Sequence, residues 1–555
     1  MPRPEQQLYP ATPIAPLRPA ATVLLLRDGP DGLEVLMTQR TQAASFAASM
    51  HVFPGGAFDE ADRVAAANSA LVLSHPAQSP NMVAQALAAI RESFEEVGVL
   101  LALRADGSTV TQADVNALDA AIGRRSPSQA FYDACAARGW QLLARDCHAL
   151  SRWTAPLDLP KRFDTHFMLA PMPEGQTVHT DGEEQVNACW VLPAVALQHW
   201  KEKAWTMLPP TFRSLQTLTQ WPNTASALQA CPHGAPFPHM APRGAQREGR
   251  EVRLMPNDLA YGEISLVAPH GQIDHAIDWQ HDHPVPLLRN VQRLTAANAG
   301  TMTGPGTNSY LIGTPSSGYI VVDPGPHDSA HIARIFQATG GAIRHIVCTH
   351  SHPDHSPGAQ PLQAMCTPQP PIWGLPHGPH ARSDSHFTPN HVLEDGATLV
   401  LQEPDGSTAH TLRALHTPGH TANHLCLVLE EDGLLLSGDH ILNGSTTIVS
   451  LPDGNMGDYL RSLDKLSAAC VAGAISHILP AHGYVIERAE HAIAHLKNHR
   501  LAREAKVLAA MQQLPGGTPE DWVALAYADT PSALWSLARH SLLAHVQHLR
   551  EQQAV

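Results

Sequence analysis

Residues 349–355, with the sequence THSHPDH, are the stretch of the chain best suited to chemistry. They place three imidazoles and one carboxylate within six consecutive positions, directly after the apolar run at 346–348. A strand that ends in such a loop can direct several side chains toward one point, as a metal site requires. The chain has 35 histidines, so chance crowding is the alternative, but the H-x-H-x-D-H order favours a metal site.

Three further candidate ligands lie downstream, each just after a short apolar segment: His420 in TPGH, Asp439 in SGDH and His482 in PAHG. Together with the first motif they make five histidines and two aspartates, enough for two metal ions. Mixed imidazole and carboxylate ligands suit zinc, with iron or manganese as alternatives. Two neighbouring metal ions lower the pKa of a shared water and polarise the bond that it attacks, so the pattern predicts hydrolysis.

These motifs, in this order, resemble the metallo-β-lactamase fold superfamily. The resemblance implies an αβ/βα sandwich that hydrolyses an ester, a thioester or a phosphodiester. It also implies the ligands of each ion and a catalytic role for Asp354. One ion would bind His350, His352 and His420, the other would bind Asp354, His355 and His482, and Asp439 would bridge the two.

Most other histidines of this region, including His424 and His477, are predicted to be surface or core residues. His416 and His440 lie close to ligands in the sequence. They are therefore candidates for contacts that orient a ligand without binding a metal themselves.

A second charged group lies on a predicted helix from about residue 81 to 98, whose apolar residues recur in steps of four and three. Glu92, Glu95 and Glu96 share one face of this helix, and Arg91 can reach Glu95 one turn on. Three clustered carboxylates repel one another unless a cation lies among them, and oxygen ligands suit Mg²⁺ or Mn²⁺. A solvated acidic helix face is the alternative.

Residues 91–99, RESFEEVGV, resemble the core of the Nudix box, R-E-U-x-E-E-x-G-U, with Ser93 where an aliphatic residue is usual. Gly55 and Gly56 lie upstream, where paired glycines let the backbone come close to a ligand. The resemblance implies a Mg- or Mn-dependent hydrolase of nucleoside-diphosphate-linked compounds, in which Arg91 orients the glutamates.

The spacing of the Nudix motif is stretched. Twenty-eight residues, 63–90, separate Asp62 from the arginine, an insertion similar to that of the Nudix branch that includes coenzyme A diphosphatases. Residues 36–40 fit the start of the coenzyme A signature of that branch. Ser45 and Ser49 depart from it, because an arginine and a glycine are expected at these positions.

The length of 555 residues is sufficient for about three to four domains. The last of the predicted domains resembles the winged-helix segment attached to some metallo-β-lactamase-fold proteins, including endoribonucleases. Residues 1–17 are predicted to be a loose lead-in, and residues 263–268 to be strand-like. The predicted ranges are a Nudix α/β/α sandwich at 18–230, a proline- and glycine-rich linker with an extension at 231–284, a metallo-β-lactamase αβ/βα sandwich at 285–497, and a small, mostly helical winged-helix-like domain at 498–555.

The charge balance of 36 basic and 51 acidic residues gives a net charge of -15, which is not a strong nucleic-acid footprint. Eight cysteines are scattered without a C-x-x-C pair, which favours reduced thiols in the cytosol. The start lacks an apolar signal region, and no later run approaches the length of a membrane span. We therefore predict a cytoplasmic protein without membrane contact.

The leading interpretation is a fusion of two metal-dependent hydrolases of small molecules, with coenzyme A compounds or acyl thioesters as candidate substrates. One alternative is an endoribonuclease that uses the dinuclear site and holds RNA with the winged helix, although the acidic balance disfavours RNA. The other alternative is a Nudix-fold nucleotide sensor that regulates the hydrolase, which the intact glutamates disfavour. A fold name does not fix the substrate.

Overall fold

The computed structural model describes residues 2–42 and 47–552, and the chain divides into two compact units. The N-terminal unit spans residues 14–242. The C-terminal unit joins the segment that ends at Pro13 to the segment that begins at Arg243. The domain boundaries predicted after residues 230, 284 and 497 stay predictions, and Ser45 lies outside the described residues.

The N-terminal unit is built around one mixed sheet. Its strands are β1 (Leu17–Gly29), β2 (Gly32–Arg40), β3 (His51–Val52), β4 (Gly55–Ala57), β5 (Ala102–Leu103), β6 (Gln141–Leu142), β7 (His148–Thr154), β8 (Arg162–Pro171), β9 (Gln185–Val191) and β10 (His239–Met240). The order β10-β7-β8-β1-β2-β3 forms the sheet, β4 pairs with β1, β9 pairs with β2, and β5 and β6 pair separately. Its helices are α1 (Glu60–Ala66), α2 (Pro80–Val97), α3 (Gln112–Ile122), α4 (Ser128–Ala137), α5 (Pro193–Lys201), α6 (Pro209–Leu218) and α7 (Thr224–Ala230), with a 3-10 turn at Ala144–Asp146.

The bounds of α2 follow from the residues at its ends. Ser79 caps the first turn by accepting a hydrogen bond from the Met82 N–H, and Pro80 occupies the first helical position, where its missing N–H is not needed. Gly98 ends the helix at φ +65°, a left-handed conformation that glycine adopts without strain. The helix predicted from about residue 81 to 98 is confirmed.

The C-terminal unit contains two larger sheets and a hairpin. Its strands are β11 (Arg243–Arg247), β12 (Arg250–Leu254), β13 (Val285–Leu288), β14 (Val291–Thr295), β15 (Asn308–Thr314), β16 (Gly318–Val322), β17 (Ile343–Val347), β18 (Ile372–Gly374), β19 (His391–Val392), β20 (Thr398–Gln402), β21 (Thr408–His416), β22 (Leu425–Leu429), β23 (Leu434–Gly438), β24 (His477–Pro480) and β25 (Ile486–Glu487). Strands β13 to β19 form one sheet in chain order, β20 to β25 form the other, and β11 pairs with β12. Its helices are α8 (Tyr261–Val267), α9 (Ser329–Ala338), α10 (Ala359–Met365), α11 (Met456–Ala472), α12 (Ala489–Gln513), α13 (Pro519–Ala526) and α14 (Trp535–Glu551), with 3-10 turns at Pro4–Gln6, Ser383–Ser385 and Ser532–Leu534.

The two large sheets face each other across one apolar core. Ile312 and Val347 contribute to it from the first sheet, and Leu427 and Leu436 from the second. Helices α9 and α10 pack on the outer face of the first sheet, and α11 and α12 on that of the second. The predicted αβ/βα sandwich is confirmed.

The N-terminal segment is fixed to the C-terminal unit through Arg3, so the prediction of a loose lead-in is wrong there. Arg3 Nη2 lies 2.9 Å from Asp432 Oδ2, and Arg3 Nε donates to Asp432 Oδ1 at 3.0 Å. The Asp432 side chain is fully buried and also accepts from Asn290 Nδ2 at 2.7 Å. Because a buried carboxylate requires such partners, it holds the distant N-terminal segment in place.

Residues 263–268, predicted to be strand-like, lie largely in helix α8 instead. The physical reason is that Tyr261, Ile264 and Ala268, at steps of three and four, share one small core, as residues on one face of a helix do. Glu263 of this helix is fully buried and paired with Arg293 of β14 and with His275 Nε2 at 3.1 Å. Burial alone would raise the pKa of Glu263, but Arg293 and His275 outweigh it and lower the pKa to about 2. This ion pair ties the segment before residue 284 to the sandwich.

Residues 498–552, here called the C-terminal helical segment, contain the end of α12 together with α13 and α14, and no strand in their described part. Val507, Trp522 and Leu542 share a small core that holds these helices together. The predicted small, mostly helical domain is confirmed. Within the described ranges of the chain, no helix is both long and apolar enough to cross a membrane.

Replacing Glu263 by Gln is expected to destabilise the C-terminal unit by about 3–5 kcal/mol, because Arg293 stays buried without its charged partner. The lowered folded pKa means that the contribution of Glu263 is complete above pH 4.5 and is lost as the pH falls toward 2. Urea unfolding at pH 7 and pH 3, followed by fluorescence, measures both effects.

The matched control is Glu251→Gln, which removes an exposed ion pair with Arg253, 2.6 Å apart. Exposed pairs contribute up to about 1 kcal/mol, so this change is expected to be small at either pH. Equal losses of stability in the two variants at pH 7 would contradict a structural role for the buried pair.

Candidate metal centre and carboxylate cavity

Each candidate metal ligand of the C-terminal unit follows the carboxyl end of a strand. The 349–355 motif follows β17, His420 follows β21, Asp439 follows β23 and His482 follows β24. Since β23 and β24 are parallel neighbours, their ends lie together. Gly438 adopts φ +49°, and a Cβ there would lie 2.6 Å from His424 Nε2, so the turn that presents Asp439 requires glycine.

The first group consists of His350, His352, His420 and Asp439, with ligand atoms within 4.8 Å of one another. His352 Nδ1 lies 3.0 Å from both His350 Nε2 and His420 Nε2. Asp439 Oδ2 lies 3.5 Å from His420 Nε2 and 4.0 Å from His350 Nε2. Ring nitrogens that converge in this way offer their lone pairs to one point.

The second group consists of Asp354, His355 and His482. Asp354 Oδ2 lies 3.2 Å from His355 Nε2 and 3.4 Å from His482 Nε2. Asp439 Oδ1 lies 3.5 Å and 3.2 Å from the same two nitrogens. The carboxylate of Asp439 therefore faces the first group with one oxygen and the second group with the other, and all seven predicted ligands come together.

The donor atoms fit two divalent cations. His355 Nε2 and Asp439 Oδ1 are buried and have no hydrogen-bond partner among the described residues, which costs free energy unless another group binds them. Imidazole nitrogens and carboxylate oxygens are the ligands that zinc takes in proteins, with iron or manganese as alternatives.

The electrostatics of the two groups differ. Burial holds the pKa of His350 well below its usual range and lowers that of His352 to about 3, so these rings are neutral and carry free lone pairs. In the second group burial also acts to lower the pKa of the histidines, but Asp439 and Asp354 outweigh it and raise the pKa of His482 to about 10. The second group therefore demands positive charge, which a bound cation supplies.

In three of the candidate ligand histidines, the ring nitrogen that faces away from the ligand group contacts another residue. His420 Nδ1 lies 2.7 Å from Ile448 O, and His482 Nδ1 lies 3.2 Å from Gly306 O. His355 Nδ1 lies 3.0 Å from Asp323 Oδ2. Such partners fix which nitrogen faces the metal and how the ring is oriented.

The sequence analysis did not identify Asp323 and His424 as functional. Asp323 binds His355 and also accepts from the Thr349 N–H at 2.7 Å, so it organises the start of the ligand loop. His424 Nε2 accepts from the Asp439 N–H at 3.1 Å. Asp323 ends an apolar strand as the ligands do, which is a usable signal, whereas nothing in the sequence distinguishes His424.

The outcomes for His416 and His440 differ. His416 Nε2 binds Ala422 O at 3.0 Å, on the exposed side of the turn that carries His420. His440 is fully buried and stacks on the Tyr459 ring, with 4.3 Å between ring centres. Neither ring nitrogen of His440 has a hydrogen-bond partner among the described residues, so its ring makes no ligand-orienting hydrogen bond there.

Arg91 is the centre of the carboxylate site in the N-terminal unit. Its guanidinium is nearly fully buried and binds Asp62 Oδ1 at 2.9 Å, Glu92 Oε1 at 2.8 Å and Glu95 Oε2 at 3.1 Å. The predicted reach of Arg91 to Glu95 is confirmed. Tyr132 donates its hydroxyl to Asp62 at 2.6 Å and completes the network.

The paired glycines approach the carboxylates of α2. Glu96 Oε2 accepts from the Gly55 N–H at 2.8 Å, and its other oxygen accepts from Gln185 Nε2 at 3.0 Å. A Cβ at Gly56 would overlap the Glu92 carboxylate. Glycine is thus required where β4 passes the glutamates.

Glu92, Glu95 and Glu96 line one cavity of about 670 Å³. Glu92 and Glu96 are only 9% and 3% exposed, so the alternative of a solvated acidic helix face is wrong. Burial, with the charge of Glu92 adding to it, raises the pKa of Glu96 to about 8, and burial raises that of Glu95 to about 7. Among the residues that line the cavity, Arg125 is the single arginine or lysine.

The three glutamates are spread more widely than the ligands of the C-terminal unit. Within the described residues, the groups whose donor atoms all lie within 4.8 Å of one another are the two groups of that unit. The glutamate oxygens are instead held by Arg91, the glycine loop and Gln185. A cation in this cavity would compete with these partners for the carboxylates.

Two departures from the Nudix patterns have visible consequences. Ser93 is fully buried, and its hydroxyl has no hydrogen-bond partner among the described residues, as expected of a polar group at an apolar position. Ser49 adopts φ +61°, so the backbone keeps the left-handed conformation that favours glycine although the residue has changed.

Family models match three parts of the chain in order. They are the NUDT19 Nudix domain at residues 71–218, the metallo-beta-lactamase superfamily at 302–469 and the beta-lactamase associated winged helix domain at 518–555. Each match lies in the region where the sequence and the structure indicate that domain.

Individual proteins are similar to parts of the chain. A beta-lactamase-like protein 2 homolog from Caenorhabditis elegans is 31% identical over 261 residues, which are 46% of this chain and 82% of the relative. An atrochrysone carboxyl ACP thioesterase from Aspergillus terreus is 30% identical over 263 residues, 45% of this chain and 73% of the relative. A solved NUDIX hydrolase from Alicyclobacillus acidocaldarius is 26% identical with a TM-score of 0.35, covering 40% of this chain and all of that one.

The matched families make the chain a hydrolase. The metallo-β-lactamase fold implies divalent metal binding, in agreement with the donor atoms of the C-terminal unit, and the Nudix domain implies Mg²⁺. The chain belongs to the metallo-β-lactamase superfamily, with a NUDT19-like Nudix domain before its sandwich and a β-lactamase-associated winged-helix domain after it.

Proposed function

We propose that the C-terminal unit is a dinuclear metal-dependent thioesterase. The observation that carries the proposal is the carboxylate of Asp439, whose two oxygens face two separate groups of ligands. Relatives that are named thioesterases support a thioester over a phosphodiester. The acidic net charge of -15 also favours a small molecule over RNA.

Two bound metal ions would supply a water of lowered pKa and would polarise the thioester carbonyl. The chain's own residues position the reactants. Asp354, with a side chain 23% exposed against 11% for Asp439, is the carboxylate nearer to solvent and would orient the attacking water. Thr307 Oγ1 donates to Asp354 Oδ2 at 2.8 Å and keeps this carboxylate turned toward the ligand groups.

For the N-terminal unit we propose a Mg²⁺- or Mn²⁺-dependent hydrolase of nucleoside-diphosphate-linked compounds. Glu92, Glu95 and Glu96 would bind the cation, and Arg91 would orient them through its ion pairs. Arg125 lines the same cavity and pairs with Asp181 at 2.8 Å, so it would contact an anionic part of the substrate in exchange for this pair. Coenzyme A compounds would offer a thioester to one unit and a diphosphate to the other.

The eight cysteines support a reducing compartment, and we propose the cytoplasm. All eight are free thiols, and seven of them are buried. Their separation in the fold offers no disulfide framework, which is the arrangement usual in cytosolic proteins.

Purified protein is expected to bind two metal ions in the C-terminal unit and to hydrolyse acyl thioesters. Asp439→Asn keeps the shape of the side chain but removes the charge shared by the two groups, so kcat/KM is expected to fall more than about 100-fold. Metal content by plasma mass spectrometry and thiol release from acyl thioesters measure the two effects.

The matched control is Asp395→Asn, which removes an exposed carboxylate 2.6 Å from Lys465 and away from the ligand groups. It is expected to retain both metals and the full rate. If a structured RNA is cut and thioesters remain intact, the endoribonuclease alternative replaces this proposal.

Cation binding in the N-terminal cavity is expected to strengthen at least tenfold between pH 6 and pH 8.5. The pKa values of about 7 for Glu95 and about 8 for Glu96 mean that protons compete with the cation below these values. The stability of the unit depends on pH in the opposite direction. Without a cation, the raised pKa values of Glu95 and Glu96 mean that the free energy of unfolding decreases as the pH rises from 4.5 toward 8.

Titration with Mn²⁺, followed by electron paramagnetic resonance of the free ion, measures this dependence. Glu96→Gln is expected to flatten the part of the curve above pH 7, and the exposed Glu60→Gln to leave it unchanged. A wild-type affinity that does not change with pH would rule out the buried glutamates as ligands. Wild-type protein that binds a nucleotide but has no diphosphatase activity would instead favour the nucleotide-sensor alternative.

A further inference from the structure

Helix α12 runs without a break from the sandwich into the C-terminal helical segment, and it carries Arg500 on its buried side. Arg500 is 3% exposed. Its Nη2 donates to Thr447 O, and the centre of its guanidinium lies 5.0 Å from the centre of the Tyr459 ring. Its Nε has no hydrogen-bond partner within the described residues. Burying a cation costs free energy, which a carbonyl and an aromatic face offset only in part. The contacts of Arg500 therefore indicate its role.

The backbone that Arg500 holds is in direct contact with the metal centre. Thr447 Oγ1 donates to Asp439 O at 2.7 Å. The carbonyl of the next residue, Ile448, lies 2.7 Å from His420 Nδ1. Residues 447 and 448 therefore contact both the residue between the two ligand groups and one histidine of the first group.

Tyr459 provides a second connection from Arg500 to the same point. Its hydroxyl donates to His440 O at 2.6 Å, and its ring stacks on the His440 imidazole. Because His440 follows Asp439 directly, Thr447 and Tyr459 bind two consecutive carbonyls, those of Asp439 and His440. Arg500 contacts both Thr447 and Tyr459.

Helix α14 contacts the same loop. His540 Nδ1 lies 3.0 Å from Ser450 Oγ, two residues after Ile448. Ala544 of α14 packs in one core with Val449 and Tyr459. The loop from 447 to 450 is therefore covered by the C-terminal helical segment and does not move independently of it.

We propose that Arg500 is a positioning residue for the metal centre, and that the C-terminal helical segment acts as a brace for His420 and Asp439. The inference rests on the proposed dinuclear function, but it goes beyond the seven ligands. It assigns the helical segment a role inside the hydrolase, independent of any nucleic acid. The metal site nearest to the brace is the first group, which contains His420.

The test compares two arginines one turn apart on α12. Arg500→Met keeps the bulk of the side chain but releases Thr447 O, and it is expected to weaken the metal of the first group about 10–100-fold. Arg503→Met is the matched control: its guanidinium also lies over a tyrosine, 4.2 Å from the Tyr527 ring centre, and also donates to a backbone carbonyl, that of Ala526. It is expected to leave both metals unaffected, because these partners lie within the helical segment and not in the loop at 447–450.

Competition with a chromophoric chelator measures the affinity of each metal, and the visible spectrum of the Co²⁺-substituted protein reports its coordination. Arg500→Met is expected to change the spectrum of one of the two ions, and Arg500→Lys to restore it in part, because an ammonium can still donate to Thr447 O. Circular dichroism confirms that the variants are folded.

A folded Arg500→Met variant with wild-type metal affinities and spectrum would overturn the brace. If Arg500→Met does not fold, Tyr459→Phe tests the same connection, because it removes only the hydroxyl that binds His440 O, and an unchanged spectrum there counts equally against the brace. A wild-type protein that binds fewer than two metals contradicts the proposed function itself, so the two failures are distinguishable.

Discussion

The position of the Asp439 carboxylate is the constraint on which the C-terminal unit depends. One carboxylate can face two groups of ligands only if the backbone before it turns sharply and the backbone after it is held. Gly438 provides the turn at φ +49°, where any Cβ would collide with His424. His424 receives the Asp439 N–H, and Thr447 and Tyr459 bind the carbonyls of Asp439 and His440. The strand ends, the loop at 447–450 and helix α12 are all arranged around this one peptide.

The two sites surround their buried carboxylates with different positively charged or polar groups. In the C-terminal unit Asp354 and Asp439 are surrounded by histidines, whose pKa values respond to the local charge and whose nitrogens leave room for cations. In the N-terminal unit Arg91 supplies a permanent positive charge to Asp62, Glu92 and Glu95, while Glu96 depends on neutral donors from Gly55 and Gln185. Burial, with the charge of Glu92 adding to it, outweighs these donors and keeps the pKa of Glu96 raised, so this carboxyl can exchange a proton for a cation near neutral pH.

The sequence indicates the candidate ligands because each follows an apolar strand, so residue type and local position carry the same information. The 349–355 motif, His420, Asp439 and His482 are examples, and helix α2 is comparable because its cap residues are local. Asp323 also follows an apolar strand and could have been found in this way. His424 and Arg500 could not, because their role depends on contacts between parts of the chain far apart in sequence. For the same reason neither Arg3 nor Glu263 could be placed: the partner of each, Asp432 or Arg293, belongs to another element.

Most charged side chains of the C-terminal helical segment pair with other residues of the same segment. Between residues 498 and 552 the sequence has five lysines and arginines and five aspartates and glutamates, so the segment carries no net charge apart from its histidines. Arg503 and Lys506 pair with Asp529, Arg539 pairs with Glu520, and Arg500 is buried against the sandwich. A surface that binds phosphates requires cations that are free to replace counterions, and four of the five here have protein partners. The same pairs that leave few free cations for RNA phosphates also hold this segment together as a support for the metal centre.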